Sequence, residues 1–291
     1  MRVHAAGLDR GAWHLMTGRP FAMRLATGLR TPENPVPGRE VAGTIAQVGA
    51  AVTGLSAGDE VFGIAHGSFA EFSVARADKL VRKPANVTFE QASVVPVSAL
   101  TALQALRDAG RVESGQHVLI IGASGGVGSF AVQLATTFGA RVTGVCGTAM
   151  LDLVRSLGAD HVIDYTSSDW SDGGQRYDLI LDIAGNPSPT RLRRALTPTG
   201  TAVIVGGEGG GHLTGGMDRQ LRALGLSMVV RQRLTGFLCH ENSTDLNRLA
   251  ELIAAGQVTP SIDRTYRFAQ VPEAVRHLEA GETRGKIAIT I

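Results

Sequence analysis

An apolar run that passes directly into a cluster of glycines constrains this chain more than any other feature. Residues 118–121 are all aliphatic and too few for a helix, residues 122–128 include four glycines, and an amphipathic segment follows to about Phe138. This order predicts a strand, a tight turn and a helix, in which the glycines let the backbone approach a pyrophosphate at the helix N-terminus. The glycines alone would also fit a plain turn, so the surrounding pattern has to decide.

Downstream of this turn, segments typical of strands and helices alternate. Such alternation predicts crossover connections and a parallel sheet. The six predicted strands are 118–121, 141–145, 161–163, 179–182, 202–205 and 226–230, and the five predicted helices are 127–138, 149–157, 190–196, 218–224 and 245–255. This set suits a Rossmann fold, a doubly wound parallel sheet that binds dinucleotides.

The N-terminal part of the chain has a different pattern. Short apolar runs, such as those in 40–49 and 60–64, are separated by glycine, proline and aspartate, which is typical of a small β barrel. Thr88 is expected to cap a helix that begins near Phe89.

The C-terminal segment again has short predicted strands, like the N-terminal part of the chain. A strand is predicted at 266–268, a helix at 272–279 and a final strand at 286–291, and this tail is expected to rejoin the first domain. The predicted barrel domain therefore comprises 1–92 and 265–291, and the predicted Rossmann domain comprises 93–264.

Charge and composition exclude several classes of function. The formal net charge is +2 and the chain has no block of Lys or Arg, so neither nucleic acid nor an anionic membrane is an expected partner. No segment has the length of an apolar membrane span, and no signal peptide is expected. Cys146 and Cys239 are the only cysteines, which excludes a disulfide framework or an all-cysteine zinc site and favours a reducing cytoplasm.

Six motifs, taken in order, resemble the medium-chain dehydrogenase/reductase superfamily and, within it, the zinc-independent, quinone-oxidoreductase-like branch. They are found at 37–43, 58–63, 67–71, 122–128, 157–165 and 285–287. The resemblance implies a chaperonin-10-like β barrel followed by the Rossmann domain, with the last strand rejoining the barrel. Relatives carry a β-rich stretch before the position of Met1, so the resemblance implies an N-terminally incomplete barrel in which residues 2–7 form an interior strand. We expect this form to be less stable than one extended upstream.

The positions at which many relatives bind zinc carry other residues here. Arg39 precedes Glu40 where the relatives have a histidine, and the positions of the cysteine ligands match Asp9 and the segment 96–98. Because a guanidinium offers no lone pair to a metal, no metal is expected.

The resemblance also implies a catalytic region. Asp9, Trp13 and Thr101 correspond to positions near the cofactor ring or the substrate. Relatives commonly have asparagine in place of Asp9, and an acid donates a hydrogen bond only when it is protonated. The alternative interpretation is that Asp9 caps a helix and Trp13 belongs to the core.

The end of the second Rossmann strand bears on the choice of cofactor. NAD enzymes place an acid there for the ribose hydroxyls, whereas this chain has Cys146, Gly147 and Thr148. The resemblance implies that Tyr165 contacts the adenosine phosphate, which favours NADPH, with NADH as the alternative because Ala149 and Met150 stand where relatives often have a basic residue. The other residues expected to bind the cofactor, at the glycine turn and at two later strand ends, are Ser124, Gly125, Gly126, Val127, Ala184, Gly185 and Gly206.

Together these features predict an NAD(P)H-dependent oxidoreductase. Without a metal, direct hydride transfer to a quinone or an α,β-unsaturated carbonyl suits the pattern, so a small-molecule substrate is expected. The alternatives are an enoyl-thioester reductase and a non-catalytic NADPH-binding protein. The resemblance implies a homodimer that pairs through an edge strand near 226–230.

Overall fold

A computed structural model describes residues 1–28, 34–172, 174–206 and 215–291. The described part of the chain divides into two compact units. The first unit comprises Met1–Arg19, Met23–Leu100 and His240–Ile291, and the second comprises Pro20–Ala22 and Thr101–Cys239.

Twelve strands form in the described residues. In chain order they are β1 (Arg2–Leu8), β2 (Glu40–Thr44), β3 (Glu60–Ile64), β4 (Leu80–Arg82), β5 (His117–Ile121), β6 (Arg141–Cys146), β7 (His161–Asp164), β8 (Tyr177–Asp182), β9 (Leu196–Ile204), β10 (Arg233–Gly236), β11 (Ile262–Arg267) and β12 (Lys286–Thr290).

The same residues form ten α-helices and one π-helix, which continues the fourth α-helix. They are α1 (Arg10–Thr17), α2 (Arg24–Thr27), α3 (Phe89–Ser93), α4 (Pro96–Gln104) with the π-helix Ala105–Gly110, α5 (Gly126–Thr137), α6 (Leu151–Ser156), α7 (Pro189–Ala195), α8 (Met217–Ser227), α9 (Ser243–Ala254) and α10 (Val271–Glu279). None of the described helices is both long and apolar enough to cross a membrane.

The first unit is built on a six-stranded sheet in the order β11-β12-β1-β2-β3-β4. β1 pairs antiparallel with β12 on one side and with β2 on the other, so residues 2–7 form an interior strand, as expected. The final strand joins this sheet, so the C-terminal tail returns to the first unit. The expected helix cap is also present, because Thr88 and Gln91 form a reciprocal capping box at the start of α3.

The second unit contains the predicted doubly wound sheet. Its six strands run parallel in the order β10-β9-β8-β5-β6-β7. The central strands β5 and β8 are mostly apolar and nearly fully buried, as expected for strands of a parallel sheet with helices on both faces. The six-stranded sheet of the first unit and this helix-covered parallel sheet together confirm the predicted α/β fold class.

The predicted strand at 226–230 is wrong. α8 continues to Ser227, and the sixth strand of the sheet is Arg233–Gly236. Within the apolar run, Met228 and Val229 are 86% and 79% exposed, so the run does not belong to a buried strand. The edge strand that replaces it buries only Leu234 fully, and this is too weak a signal for sequence periodicity to detect.

The contacts divide the chain at 100/101 and 239/240, whereas the predicted boundaries lie at 92/93 and 264/265. The difference at the second boundary arises from α9. This helix packs against β4, and Asn86 Nδ2 donates a hydrogen bond of 2.8 Å to the carbonyl oxygen of Ile253 near the end of α9.

Candidate functional site

The glycine turn joins β5 to α5 in a geometry that requires glycine at two positions. Gly122 has φ 87°, and a Cβ atom there would lie 2.6 Å from Cβ of Ala184. A Cβ atom on Gly128 would lie 2.0 Å from the carbonyl oxygen of Gly122. The turn is therefore a tight strand-to-helix connection and not a generic loop.

The N-terminus of α5 fits an anionic ligand. Its N-cap residue is Gly125, which has no side chain to accept hydrogen bonds from the first turn. Ser124, Gly125, Gly126 and Val127 are all partly exposed, so the turn is open to solvent. Uncapped N–H groups and the positive end of the helix dipole stabilise a phosphate at such a position.

The residues expected to contact the adenosine half of the cofactor come together at the C-terminal ends of β6 and β7. The backbone N–H of Tyr165 donates to the carbonyl oxygen of Cys146 over 3.1 Å. A Cβ atom on Gly147 would lie 3.5 Å from the Tyr165 hydroxyl, and the Tyr165 side chain is exposed. The Cys146 side chain is buried, and this burial raises the pKa of its thiol to about 11.

An acidic residue that the sequence interpretation missed lies in the same place. Asp164 ends β7 directly beside Cys146. Its carboxylate accepts hydrogen bonds from Thr148 Oγ1 at 2.5 Å and from Thr166 Oγ1 and N at 2.7 and 2.9 Å. These bonds, led by the one from Thr148, lower the pKa of Asp164. β6 itself ends without an acid, as expected, but the neighbouring strand supplies a carboxylate.

The C-terminal ends of β8 and β9 lie beside the glycine turn. The N–H groups of Ile183 and Ala184 donate to the carbonyl oxygen of Ile121 over 3.1 and 3.3 Å. The N–H of Gly206 donates over 3.3 Å to the carbonyl oxygen of Asp182. The structure therefore brings Ala184, Gly185 and Gly206 to the carboxyl edge of the central strands, where ligands of doubly wound sheets bind.

Two of the three predicted catalytic residues share one helix. Asp9 is the N-cap of α1, and its Oδ1 accepts the N–H of Ala12 over 2.7 Å, while its buried Oδ2 accepts no hydrogen bond from any residue that the structure describes. Trp13 packs on the core of the first unit, and its Nε1 donates to Glu279 Oε1 over 2.6 Å. Asp9 thus caps a helix and Trp13 packs on the core, as the alternative interpretation of these residues states. Thr101 lies on the part of α4 that belongs to the second unit, and it is partly buried.

A buried polar cluster lies close to Asp9 in the first unit. Lys286 Nζ donates to Glu40 Oε2 over 2.5 Å, and Glu40 Oε1 accepts the N–H of Val97 near the start of α4 over 2.8 Å. Burial raises the pKa of Glu40 to about 7 against the opposing effect of Lys286, and the charge of Asp9 adds to the rise.

The donor groups near Asp9 do not fit a zinc ion. Arg39 forms an ion pair with Glu241, which also pairs with Lys79 at 2.7 Å. Glu40 is occupied by Lys286, and a guanidinium cannot ligate a metal. Throughout the described ranges, no three His, Cys, Asp or Glu side chains are grouped in a way that could hold a metal ion.

Two protein families match successive parts of the chain. Residues 1–85 match the alcohol dehydrogenase GroES-like domain, and residues 157–289 match the zinc-binding dehydrogenase family.

Individual relatives cover nearly the whole chain. The mitochondrial NAD(P)H oxidoreductase RTN4IP1 of mouse (Mus musculus) is 34% identical over 312 residues, covering 99% of this chain and 75% of the relative. The 2-methylene-furan-3-one reductase of tomato (Solanum lycopersicum) is 33% identical over 273 residues, covering 89% and 64% respectively. The crystal structure of Escherichia coli quinone oxidoreductase complexed with NADPH superimposes with a TM-score of 0.83 at 26% identity, covering 100% of this chain and 90% of that one.

Proposed function

Because the chain belongs to the medium-chain dehydrogenase/reductase superfamily and to its quinone-oxidoreductase-like branch, we propose that it is an NADPH-dependent reductase of quinones and α,β-unsaturated carbonyls. The observation that carries the proposal is the glycine turn. Gly122 and Gly128 are confined to glycine by close backbone and side-chain neighbours, and α5 begins without a side-chain cap. Such a turn at the carboxyl edge of a doubly wound sheet binds the pyrophosphate of a dinucleotide.

The substrate class follows from the chemistry of the cofactor and from the names of the relatives. The nicotinamide ring supplies a hydride when the cofactor is bound. Quinones and enones accept hydride at a carbon made electrophilic by conjugation, so they need no metal to polarise them. A 2-methylene-furan-3-one has the same conjugated arrangement, and the similarity to the tomato reductase supports this substrate class.

Zinc independence is part of the proposal. It is supported by Arg39, whose guanidinium stands where relatives have a histidine and pairs with Glu241. Neither Arg39 nor Asp9 reproduces the nitrogen and sulfur ligands that a catalytic zinc prefers.

The preference for NADPH rests on the ends of β6 and β7. Gly147, Thr148 and Tyr165 form a partly open surface without an acid on β6, and hydroxyl groups there suit a 2′-phosphate. Asp164 opposes this preference because its carboxylate is ionised at neutral pH. We therefore expect a moderate preference for NADPH, with measurable use of NADH.

Catalytic roles for Asp9, Trp13 and Thr101 remain part of the proposal. Asp9 has a buried oxygen, Oδ2, that accepts no hydrogen bond from the described residues. A substrate or water that donates to this oxygen would satisfy it. For Trp13 the structure supports a positioning role, because its bond to Glu279 holds α1, which carries Asp9 as its N-cap, against α10.

A homodimer is proposed through the outer edge of the second unit. Among the described strands, β10 pairs only with β9, so its other edge has no strand partner there, and the N–H of Leu234 donates instead to Ser227 Oγ over 3.0 Å. Large apolar side chains are exposed on α8 and in the segments beside β10: Leu221, Leu224, Met228, Val229 and Leu238. Two copies that pair through β10 would cover both this strand edge and the exposed apolar side chains. Sedimentation equilibrium measures the mass of the assembly and so tests whether the protein is a dimer.

The catalytic proposal is tested by binding and turnover together. Binding of NADPH and NADH is followed by nicotinamide fluorescence, and turnover by NADPH oxidation with phenanthrenequinone and with a simple enone. We expect binding of both cofactors and steady turnover with both acceptors. Binding without turnover would identify a non-catalytic NADPH-binding protein, and turnover confined to enoyl thioesters would identify the other alternative. Absence of binding would overturn the proposal.

A further inference from the structure

One buried guanidinium in the second unit bonds to two backbone carbonyls and one carboxylate, which lie on three separate segments of the chain. Arg219 of α8 has a side chain that is only 9% exposed. Its Nη2 donates to the carbonyl oxygen of Gly206 over 2.6 Å, and its Nη1 donates to the carbonyl oxygen of Pro187 over 3.3 Å and to Asp182 Oδ2. The guanidinium thus ties the end of β8, the loop that follows it and the segment after β9 to a single helix.

The ion pair with Asp182 is not arranged for greatest stability. The Asp182 side chain is fully buried, and burial raises its pKa against the effect of Arg219. Asp182 Oδ1 and Arg219 Nε are also buried and have no hydrogen-bond partner of good geometry among the described residues. Because burying two charges and two unpaired polar atoms is costly, a gain in stability does not account for this arrangement.

The segments that Arg219 bonds to lie beside the glycine turn. The side chain of Ala184 occupies the space in which a Cβ atom on Gly122 would lie. A Cβ atom on Gly185 would lie 2.6 Å from Asp182 Oδ1, and one on Gly206 would lie 2.8 Å from the carbonyl oxygen of Ile183. The shape of this backbone therefore depends on where Asp182 and its partner are held.

The two halves of a doubly wound sheet bind the two halves of a dinucleotide. β5, β6 and β7 carry the glycine turn and the residues assigned to the adenosine half. β8 and β9 carry the segments tied by Arg219. These segments therefore lie on the side of the sheet that takes the nicotinamide half.

We propose that Arg219 is a positioning residue for the nicotinamide half of the cofactor. It acts through the backbone of Ala184, Gly185 and Gly206, which it holds in the shape that accepts the ring and its ribose. This inference rests on the proposed function, because it presupposes that the chain binds a nicotinamide dinucleotide.

The test compares the whole cofactor with its adenosine half. Arg219→Met removes the guanidinium and keeps the length of the side chain. Arg222→Met is the matched control, since Arg222 lies on the same helix with its side chain 76% exposed and pairs only with Asp218 among the described residues. The affinities of both variants and the unchanged protein are measured for NADPH and for 2′,5′-ADP, at a temperature at which circular dichroism shows all three folded.

We expect Arg219→Met to weaken NADPH binding by about tenfold or more, to raise the KM for NADPH more than that for the quinone, and to leave 2′,5′-ADP binding unchanged. Arg222→Met should match the unchanged protein in every measurement. Equal losses for NADPH and 2′,5′-ADP would show a general structural role and overturn the inference, as would unchanged NADPH binding.

A second variant covers the case in which Arg219→Met does not fold. Arg219→Lys keeps the charge, but one ammonium group cannot bond to Asp182 and to both carbonyl oxygens in the same geometry. It should weaken NADPH binding by a smaller factor and again leave 2′,5′-ADP binding unchanged. If the unchanged protein binds 2′,5′-ADP and NADPH equally well, the nicotinamide half of the cofactor adds no binding energy. The inference about Arg219 then fails, while the proposed function stands. If the unchanged protein binds neither, the proposed function fails and the inference falls with it.

Discussion

Glu40 and Lys286 form a buried ion pair, with Lys286 Nζ lying 2.5 Å from Glu40 Oε2. Neither side chain is more than 2% exposed. The pair links β2 to β12, and Glu40 also accepts the N–H of Val97 at the start of α4. A buried carboxylate of this kind depends on its counter-charge, because the low dielectric of the interior strengthens both the attraction and the cost of losing it.

We expect Lys286→Met to lower the free energy of unfolding by about 3–5 kcal/mol at pH 8, because it leaves the Glu40 carboxylate buried without a counter-charge. The double variant with Glu40→Gln should recover most of this loss, since neither buried group is then charged. Urea unfolding of the two variants and the unchanged protein measures the effect. A double variant that is as unstable as Lys286→Met alone would show that packing, and not charge, causes the loss.

Glu40 should also produce a measurable pH dependence. Burial raises its pKa from 4.5 to about 7, so the folded state binds a proton more tightly than the unfolded state between these values. The stabilising contribution is therefore fully present below the unfolded pKa and is lost as the pH rises to about 7, by at most about 1.4 kcal/mol for each pH unit. The stability of the unchanged protein relative to Glu40→Gln should fall across this window and stay level above it. A difference that does not vary with pH would show that Glu40 titrates normally.

The two glycines at the start of α5 should respond differently to alanine. Gly128→Ala places a Cβ atom 2.0 Å from the carbonyl oxygen of Gly122, whereas Gly125→Ala meets nothing closer than 3.6 Å. We expect Gly128→Ala to lower the free energy of unfolding by more than about 2 kcal/mol. Gly125→Ala should cost less than about 1 kcal/mol and still weaken cofactor binding by about tenfold, since its methyl group lies at the open end of the turn. Thermal unfolding and cofactor titration separate the two effects, and equal stability of the two variants would contradict the geometry.

Asp164 should tune the choice between the two cofactors. Its hydrogen bonds from Thr148 and Thr166 lower its pKa, so it carries a negative charge near the surface assigned to the 2′-phosphate. Asp164→Asn removes the charge and keeps an oxygen for the turn, and it should raise the affinity for NADPH relative to NADH by about threefold to tenfold.

Asp152→Asn is the control for this change. Asp152 is exposed on α6 and pairs with Arg155, so its substitution should leave the ratio of the two affinities as it is. A ratio that moves equally in both variants would point to net charge and not to the local role of Asp164.

The sequence allowed the fold to be predicted well because its strongest signals are local. Thr88 followed by Gln91 forms a capping box within four residues, and the glycine turn is continuous in sequence. Even the return of the last strand to the first sheet was implied by the order of the motifs. Edge strand β10 was missed because one buried residue, Leu234, gives no periodic pattern.

The parts of the candidate site that were missed depend on pairing between distant residues. Asp164 acts beside Thr148 only because β7 lies parallel to β6 with Asp164 opposite Cys146. Arg219 acts at Gly206 and Asp182 only because α8 packs its buried face under two strand ends. A single sequence does not reveal either contact. The first depends on the register between β6 and β7, and the second depends on the orientation of α8.

The pairing of Ala5 with Thr290 has a consequence for the order in which the protein forms on the ribosome. β1 is synthesised before the second unit, yet the strand that covers one of its edges comes only after that unit. Residues 101–239 supply nearly all of that unit, so it can fold while the first sheet still ends at β1 with open backbone groups. Closing so long a stretch of chain is slow. A nascent chain therefore exposes the edge of β1 that β12 later covers until residues 286–290 have been synthesised.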